Sequence, residues 1–92
     1  MNDNKKEQYK ALLSEIIAKQ IVILGPAIAV MKARNVSGLT VSDDGTVEEI
    51  SGDPEAALQQ LIDQYVELSG QIVKNALGTI FEKYPDVKKP IE

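Results

Sequence analysis

One apolar segment, residues 21–31, constrains the fold of this chain more than any other feature. It contains no charged side chain, in a chain of only 92 residues. A surface helix needs one apolar stripe, whereas a helix that is apolar around its circumference must be covered on several sides. So short a chain has few other elements to provide that cover. The segment therefore predicts a second copy of the chain or a partner protein.

The length and composition predict a single domain over residues 1–92. Hydrophobic residues make up 43% of the chain, which argues against a disordered protein. Aromatic residues are few, so we expect a mainly aliphatic core. The four aromatic residues are Tyr9, Tyr65, Phe81 and Tyr84.

Charge and residue types argue against several functions. The net charge is −4, and Arg34 is the single arginine, so the chain lacks the basic face that nucleic-acid binding requires. Histidine and cysteine are absent, which removes the commonest metal ligands and acid–base groups. We therefore expect no catalytic residue, no metal and no cofactor. An enzyme that uses carboxylates and lysines alone would need paired acids, and no such spacing is present.

The beginning of the chain is polar and lacks the apolar stretch of a signal peptide. Residues 21–31 are also too few to cross a bilayer, which takes about 20 apolar residues. These observations predict a cytoplasmic protein with no membrane span.

The spacing of apolar residues predicts two long helices. The first covers about 4–34, with a kink or a brief break at 25–26, because Pro26 removes a backbone hydrogen bond there. We expect the helix to resume at Pro26, which suits a first helical position. The last covers about 54–84, with Asp53 as its cap, Pro54 in its first turn and Pro85 preventing continuation. At about 1.5 Å per residue, that helix would be about 45 Å long. Residues 85–92 are expected to form a frayed tail.

A β-hairpin is predicted at about 39–50, because Asp44 and Gly45 form a turn sequence between β-favouring residues. Two registers are possible. A two-residue loop pairs Val41 with Glu48, whereas a three-residue loop with Gly45 in the left-handed conformation pairs Val41 with Val47. The second register is favoured because it keeps apolar side chains on one face.

The expected fold is therefore mainly α with a small β-hairpin, in the order α-β-β-α. Two long antiparallel helices are joined by the hairpin and pair with a second copy into a dimeric four-helix bundle. The predicted dimer interface consists of helical residues on the apolar faces: Ile16, Gln20, Ile21, Ile23, Leu24, Ile28, Met31, Leu61, Tyr65, Leu68, Ile72, Ala76 and Ile80.

Three further features each allow two interpretations. Gln20 interrupts an apolar stripe, so it either fixes the register of a helix pair or lies at the stripe's edge and reaches water. Small residues in the last helix permit either close helix packing or a ligand pocket: Ser69, Gly70, Ala76, Gly78 and Thr79. The acidic hairpin residues lack the EF-hand pattern and fit a solvated turn: Asp43, Asp44, Glu48 and Glu49.

These features predict a small homodimeric protein-interaction module, with a regulatory or adaptor role and no catalytic activity. Its helices build the dimer, while the hairpin and the termini are available to another protein. The alternative is a small-molecule-binding or sensory domain with an apolar pocket between helices, or a groove that takes a lipid tail or an amphipathic helix.

Overall fold

The computed structural model describes residues 3–70, 77–80 and 82–84. In chain order these form helix α1 (Asp3–Leu24), helix α2 (Pro26–Arg34), strand β1 (Leu39–Val41), strand β2 (Val47–Ile50) and helix α3 (Pro54–Ser69). A further helical stretch spans residues 77–80. The predicted class, a mainly helical chain with a small antiparallel sheet, is confirmed.

Gly25 separates α1 from α2. Its φ of 93° and ψ of 153° lie in a region that is essentially restricted to glycine. Its N–H donates to the carbonyl of Ile21 at 2.9 Å, which closes α1, and its carbonyl accepts from the N–H of Ala29 at 3.1 Å, which opens α2.

The break changes the direction of the chain. A straight helix over residues 3–34 would be about 48 Å long, but the longest dimension of the molecule is 36 Å. The interruption lies where the sequence indicated, and the helix resumes at Pro26 as expected. The interruption is a break and not a kink, so α1 and α2 are separate helices that pack on each other.

The hairpin has the register that the sequence favoured. Val41 pairs with Val47, and the N–H of Ser42 donates to the carbonyl of Thr46 at 2.9 Å, which leaves residues 43–45 as the loop. Gly45 in that loop has a positive φ of 91°.

One feature of the hairpin escaped the sequence interpretation. The pairing shifts between Thr40 and Val41, so that Glu48 is the extra residue of a β-bulge on β2. Val47 and Ile50 are three positions apart and would point to opposite faces of a regular strand. The bulge allows both to be buried.

The hairpin lies along α1, with β2 antiparallel to the helix. The N–H of Val47 donates to Oγ of Ser14 at 2.9 Å, and Lys10 lies 3.9 Å from Glu49, one turn earlier on α1. At the loop, a Cβ added to Gly45 would lie only 2.8 Å from Cδ1 of Ile21. The absence of a side chain at position 45 therefore permits this close contact.

Helix α3 begins as predicted and ends earlier. Oδ1 of Asp53 accepts from the N–H of Glu55 at 3.2 Å, and Pro54 occupies the first turn. The prediction of a continuous helix over about 54–84 is wrong, because Gly70 leaves helical geometry at φ 55° and ψ −114°. Residues 71–76, part of that predicted helix, and the predicted tail 85–92 lie outside the described residues.

The three helices and the hairpin share one core. The sequence predicted instead that two long helices would pack against each other. Helix α1 contacts α2, β2 and α3, and α2 contacts α1, α3 and β1. Aliphatic side chains dominate the core, as composition indicated, but Tyr9 and Tyr65 are among its fully buried members. The hydroxyl of Tyr65 donates to the carbonyl of Ala29 at 2.6 Å, which joins α3 to α2.

Candidate interaction surface

The residues predicted to form the dimer interface fall into four groups. Five are fully buried within one subunit, so a second copy is not needed to cover them: Ile16, Gln20, Leu61, Tyr65 and Ile80. Two are half-buried, Ile21 and Leu24, and four are exposed, Ile23, Ile28, Met31 and Leu68. Ile72 and Ala76 lie outside the described residues. Among the described residues, only four of the thirteen predicted interface residues are therefore exposed.

Four large apolar side chains are exposed close to the helix break. We define the break surface as Val22, Ile23, Ile28 and Met31, whose exposed fractions are 84%, 40%, 44% and 52%. Sequence reasoning did not include Val22 in the interface. Helical spacing could have indicated it, because Val22 lies nine residues after the buried Leu13 and hence on the opposite side of α1.

Helix α2 has apolar residues on two faces. Ala29, Val30 and Ala33 are buried in the core, whereas Ala27, Ile28 and Met31 face away from it and are exposed. The last turn carries Lys32 and Arg34, and the first turn carries no acid. The face of α2 opposite the core is therefore apolar, with a basic end.

An open cleft of about 450 Å³ lies between α2 and the hairpin loop. Its lining consists of Pro26, Ala27, Val30, Met31, Arg34, Asn35 and Asp43. At its polar end, Nη2 of Arg34 lies 2.9 Å from Oδ1 of Asp43, and Nε and Nη2 donate to the carbonyl of Val41 at 3.1 and 2.9 Å. The guanidinium therefore fastens the hairpin to α2.

The structure places Gln20 and the small residues of the last helix differently from what the sequence suggested. Gln20 is fully buried in the subunit, so the interpretation in which it reaches water at the edge of the stripe is wrong. Of the small residues, Gly78 and Thr79 are exposed, Gly70 follows α3, and the side chain of Ser69 and the whole of Ala76 lie outside the described part. Gly78 and Thr79 are therefore not buried between helices.

The acidic hairpin uses one acid to build its loop. Asp44 accepts from the hydroxyl of Ser42 and from the N–H of Thr46, the latter at 3.0 Å, and these bonds lower its pKa. On the outer side of the strands, Thr40, Glu48 and Glu49 are exposed. The hairpin thus presents an acidic face to solvent while its other face completes the core.

The remaining shifted ionisable groups also have structural partners. Nζ of Lys83 donates to Oε2 of Glu15 at 2.6 Å, and the hydroxyl of Tyr84 donates to Oε1 at 3.1 Å. The bond from Lys83 is the main cause of the lowered pKa of Glu15. Burial raises the pKa of Tyr65. Over residues 3–70, 77–80 and 82–84, no cluster of acidic side chains is arranged to hold a metal ion.

The chain matches no protein family, and comparisons with curated proteins and with solved structures find no match. Among the described helices, none is both long enough and apolar enough to cross a membrane.

Proposed function

We propose that this protein is a small cytoplasmic, homodimeric interaction module with a regulatory or adaptor role and no catalytic activity. The observation that carries the proposal is the break surface. Monomeric soluble proteins rarely expose large contiguous apolar patches, and such patches mark association sites. The break surface provides four large exposed apolar side chains within ten residues of chain.

The charge distribution around the break also supports association with a protein. Residues 20–31 carry no charge, and the nearest charged residues on either side are Lys19 and Lys32. The centres of protein interfaces are depleted of charge and enriched in methionine. Val22, Ile28 and Met31 fit that composition.

The oligomeric state in solution tests the proposal. Sedimentation equilibrium should give a dimer of about 20 kDa, twice the 10.0 kDa of one chain. We expect Ile28→Asp to weaken dimerisation at least about tenfold, because a carboxylate would be desolvated in the interface. Gln60→Asp, which adds the same charge at an exposed position of α3, should leave the dimer unchanged.

A persistent monomer would refute the proposal. Association that is still undetected at ~1 mM would be worth less than about 4 kcal/mol, too little for a working dimer. If the dimers of Ile28→Asp and Gln60→Asp have equal dissociation constants, the break surface is not part of the dimer interface.

The cleft favours a second candidate, a small-molecule-binding or sensory domain. Its volume of about 450 Å³ lies within the usual range for ligand sites, roughly 300–1,000 Å³. An apolar wall of Ala27, Val30 and Met31 faces it. Native mass spectrometry after gentle purification separates the two functions, because a retained small ligand supports the second and a clean dimer supports the first.

A further inference from the structure

We propose that the cleft between α2 and the hairpin loop binds a free α-amino acid with an apolar side chain. This inference rests on the second candidate function, the small-molecule-binding domain, and specifies the chemistry of its ligand. The cleft joins an apolar wall to one cationic and one anionic side chain, Arg34 and Asp43. A zwitterion with an apolar side chain carries the complementary set of groups.

The arginine of the cleft is held in one orientation by the backbone of β1. Nε and Nη2 of Arg34 donate to the carbonyl of Val41 at 3.1 and 2.9 Å. Nη2 also lies 2.9 Å from Oδ1 of Asp43. Because two of these bonds go to one backbone carbonyl, the guanidinium stays in place when Asp43 also binds a ligand.

Each of the two charged groups has a terminal atom that a ligand can reach. Within the described part of the chain, Nη1 of Arg34 donates no hydrogen bond and Oδ2 of Asp43 accepts none. The side chains of Arg34 and Asp43 are 49% and 98% exposed. A ligand carboxylate can therefore accept from Nη1 while the ligand ammonium donates to Oδ2.

The balance of charge favours a zwitterion over a simple anion or cation. A carboxylate bound to Nη1 of Arg34 lies close to the carboxylate of Asp43, and an amine bound to Oδ2 lies close to the guanidinium. Like charges at such short range repel each other. An α-amino acid carries both charges on one carbon, so each ligand charge has an opposite charge beside it.

The apolar wall continues from the arginine along α2. Four lining residues are three or four positions apart and so follow one face of the helix: Ala27, Val30, Met31 and Arg34. A ligand with its charged end at Arg34 places its side chain beside Met31, and methionine adapts to side chains of different shape. The cleft of about 450 Å³ lies in the lower part of the range for small-ligand sites, which suits a single amino acid.

Binding of leucine, compared with two compounds that each lack one of its charges, tests the proposal. Isotope-labelled protein is titrated by NMR with leucine, with isocaproate, which lacks the amine, and with isoamylamine, which lacks the carboxylate. We expect leucine to shift the amide signals of residues 27–35 and 43. It should bind at least about fivefold more tightly than either compound, because each has lost one charge-assisted hydrogen bond.

Two variants separate the site from a general effect of charge. Asp43→Asn keeps an oxygen for Arg34 but removes the charge that faces the ammonium. Leucine should therefore bind this variant at least about fivefold more weakly, and no longer more tightly than isocaproate. Glu67→Gln removes one negative charge at an exposed position of α3 and should leave binding unchanged. Thermal melts establish that both variants fold.

Several outcomes overturn the inference. Equal binding of leucine and isocaproate would show an anion site, and equal binding of leucine and isoamylamine would show a cation site. Absence of any shift with leucine at about 10 mM would exclude useful binding, since the affinity would then be worth less than about tenfold that concentration's inverse. A retained molecule of another class in native mass spectrometry would overturn the ligand while leaving the second candidate function in place. Sedimentation equilibrium tests the homodimer independently of all these results.

Discussion

Replacing Gly25 with alanine isolates the energetic contribution of the helix break. The φ of 93° and ψ of 153° at this residue are costly for any residue with a Cβ. A Cβ built there meets no atom within 4 Å, so no collision contributes to the effect. The cost is therefore backbone strain alone, about 1–3 kcal/mol.

Chemical denaturation and thermal melting measure this cost. For a domain of this size, each kcal/mol lowers the melting temperature by about 4–8 °C. Gly78→Ala is a matched control: a Cβ at Gly78 also meets no atom within 4 Å, but this glycine is helical and has no positive φ. Alanine at position 78 should be neutral or stabilise by up to about 1 kcal/mol.

Equal unfolding midpoints for Gly25→Ala and Gly78→Ala would refute the argument. A changed denaturant slope for Gly25→Ala alone would have a different meaning, because the slope follows the surface exposed on unfolding. It would show that α2 had left the core, since straightening at position 25 would expose Ala29, Val30 and Ala33.

Two further predictions concern the contacts of α1. Ser14→Ala leaves the N–H of Val47 without its acceptor, so we expect a loss of about 1–3 kcal/mol in denaturant unfolding; the exposed Ser37→Ala should change stability by no more than about 0.5 kcal/mol. The pKa of Glu15 is lowered from about 4.5 in the folded state, so its bond to Lys83 stabilises the protein above that pH and is lost as the pH falls through the folded pKa. Glu15→Gln should therefore reduce the fall in melting temperature as the pH drops below 4.5. An equally steep fall in the variant and in the original protein would contradict this.

Local features of the fold were predictable because they depend on residues close together in the chain. Asp53 and Pro54 specify the start of α3 through capping and a fixed φ. The apolar pair Val41 and Val47 selects the hairpin register. The spacing of the apolar residues Val47 and Ile50, three positions apart, was a sign of the bulge at Glu48. This spacing indicates a bulge only once it is known which side of the strand faces α1.

The rest of the fold depends on contacts between distant residues. The apolar pattern continues through Gly70, so periodicity alone does not show that α3 ends there, whereas Pro26 indicated the interruption at Gly25. Ile16 lies next to Glu15 and is buried, whereas Ile28 lies within the uncharged segment and is exposed. The difference arises because the hairpin and α3 cover α1, whereas the outer face of α2 receives no cover from the described residues.

The position of the hairpin along α1 affects how the protein matures during synthesis. The helix leaves the ribosome first, but the strand that binds Ser14 is 33 residues further along, and the lysine that binds Glu15 is 68 residues further along. At about 5–20 residues per second, the wait for that strand is roughly 2–7 s. Until that strand is synthesised, the apolar side of the first helix remains uncovered on the nascent chain and is accessible to chaperones.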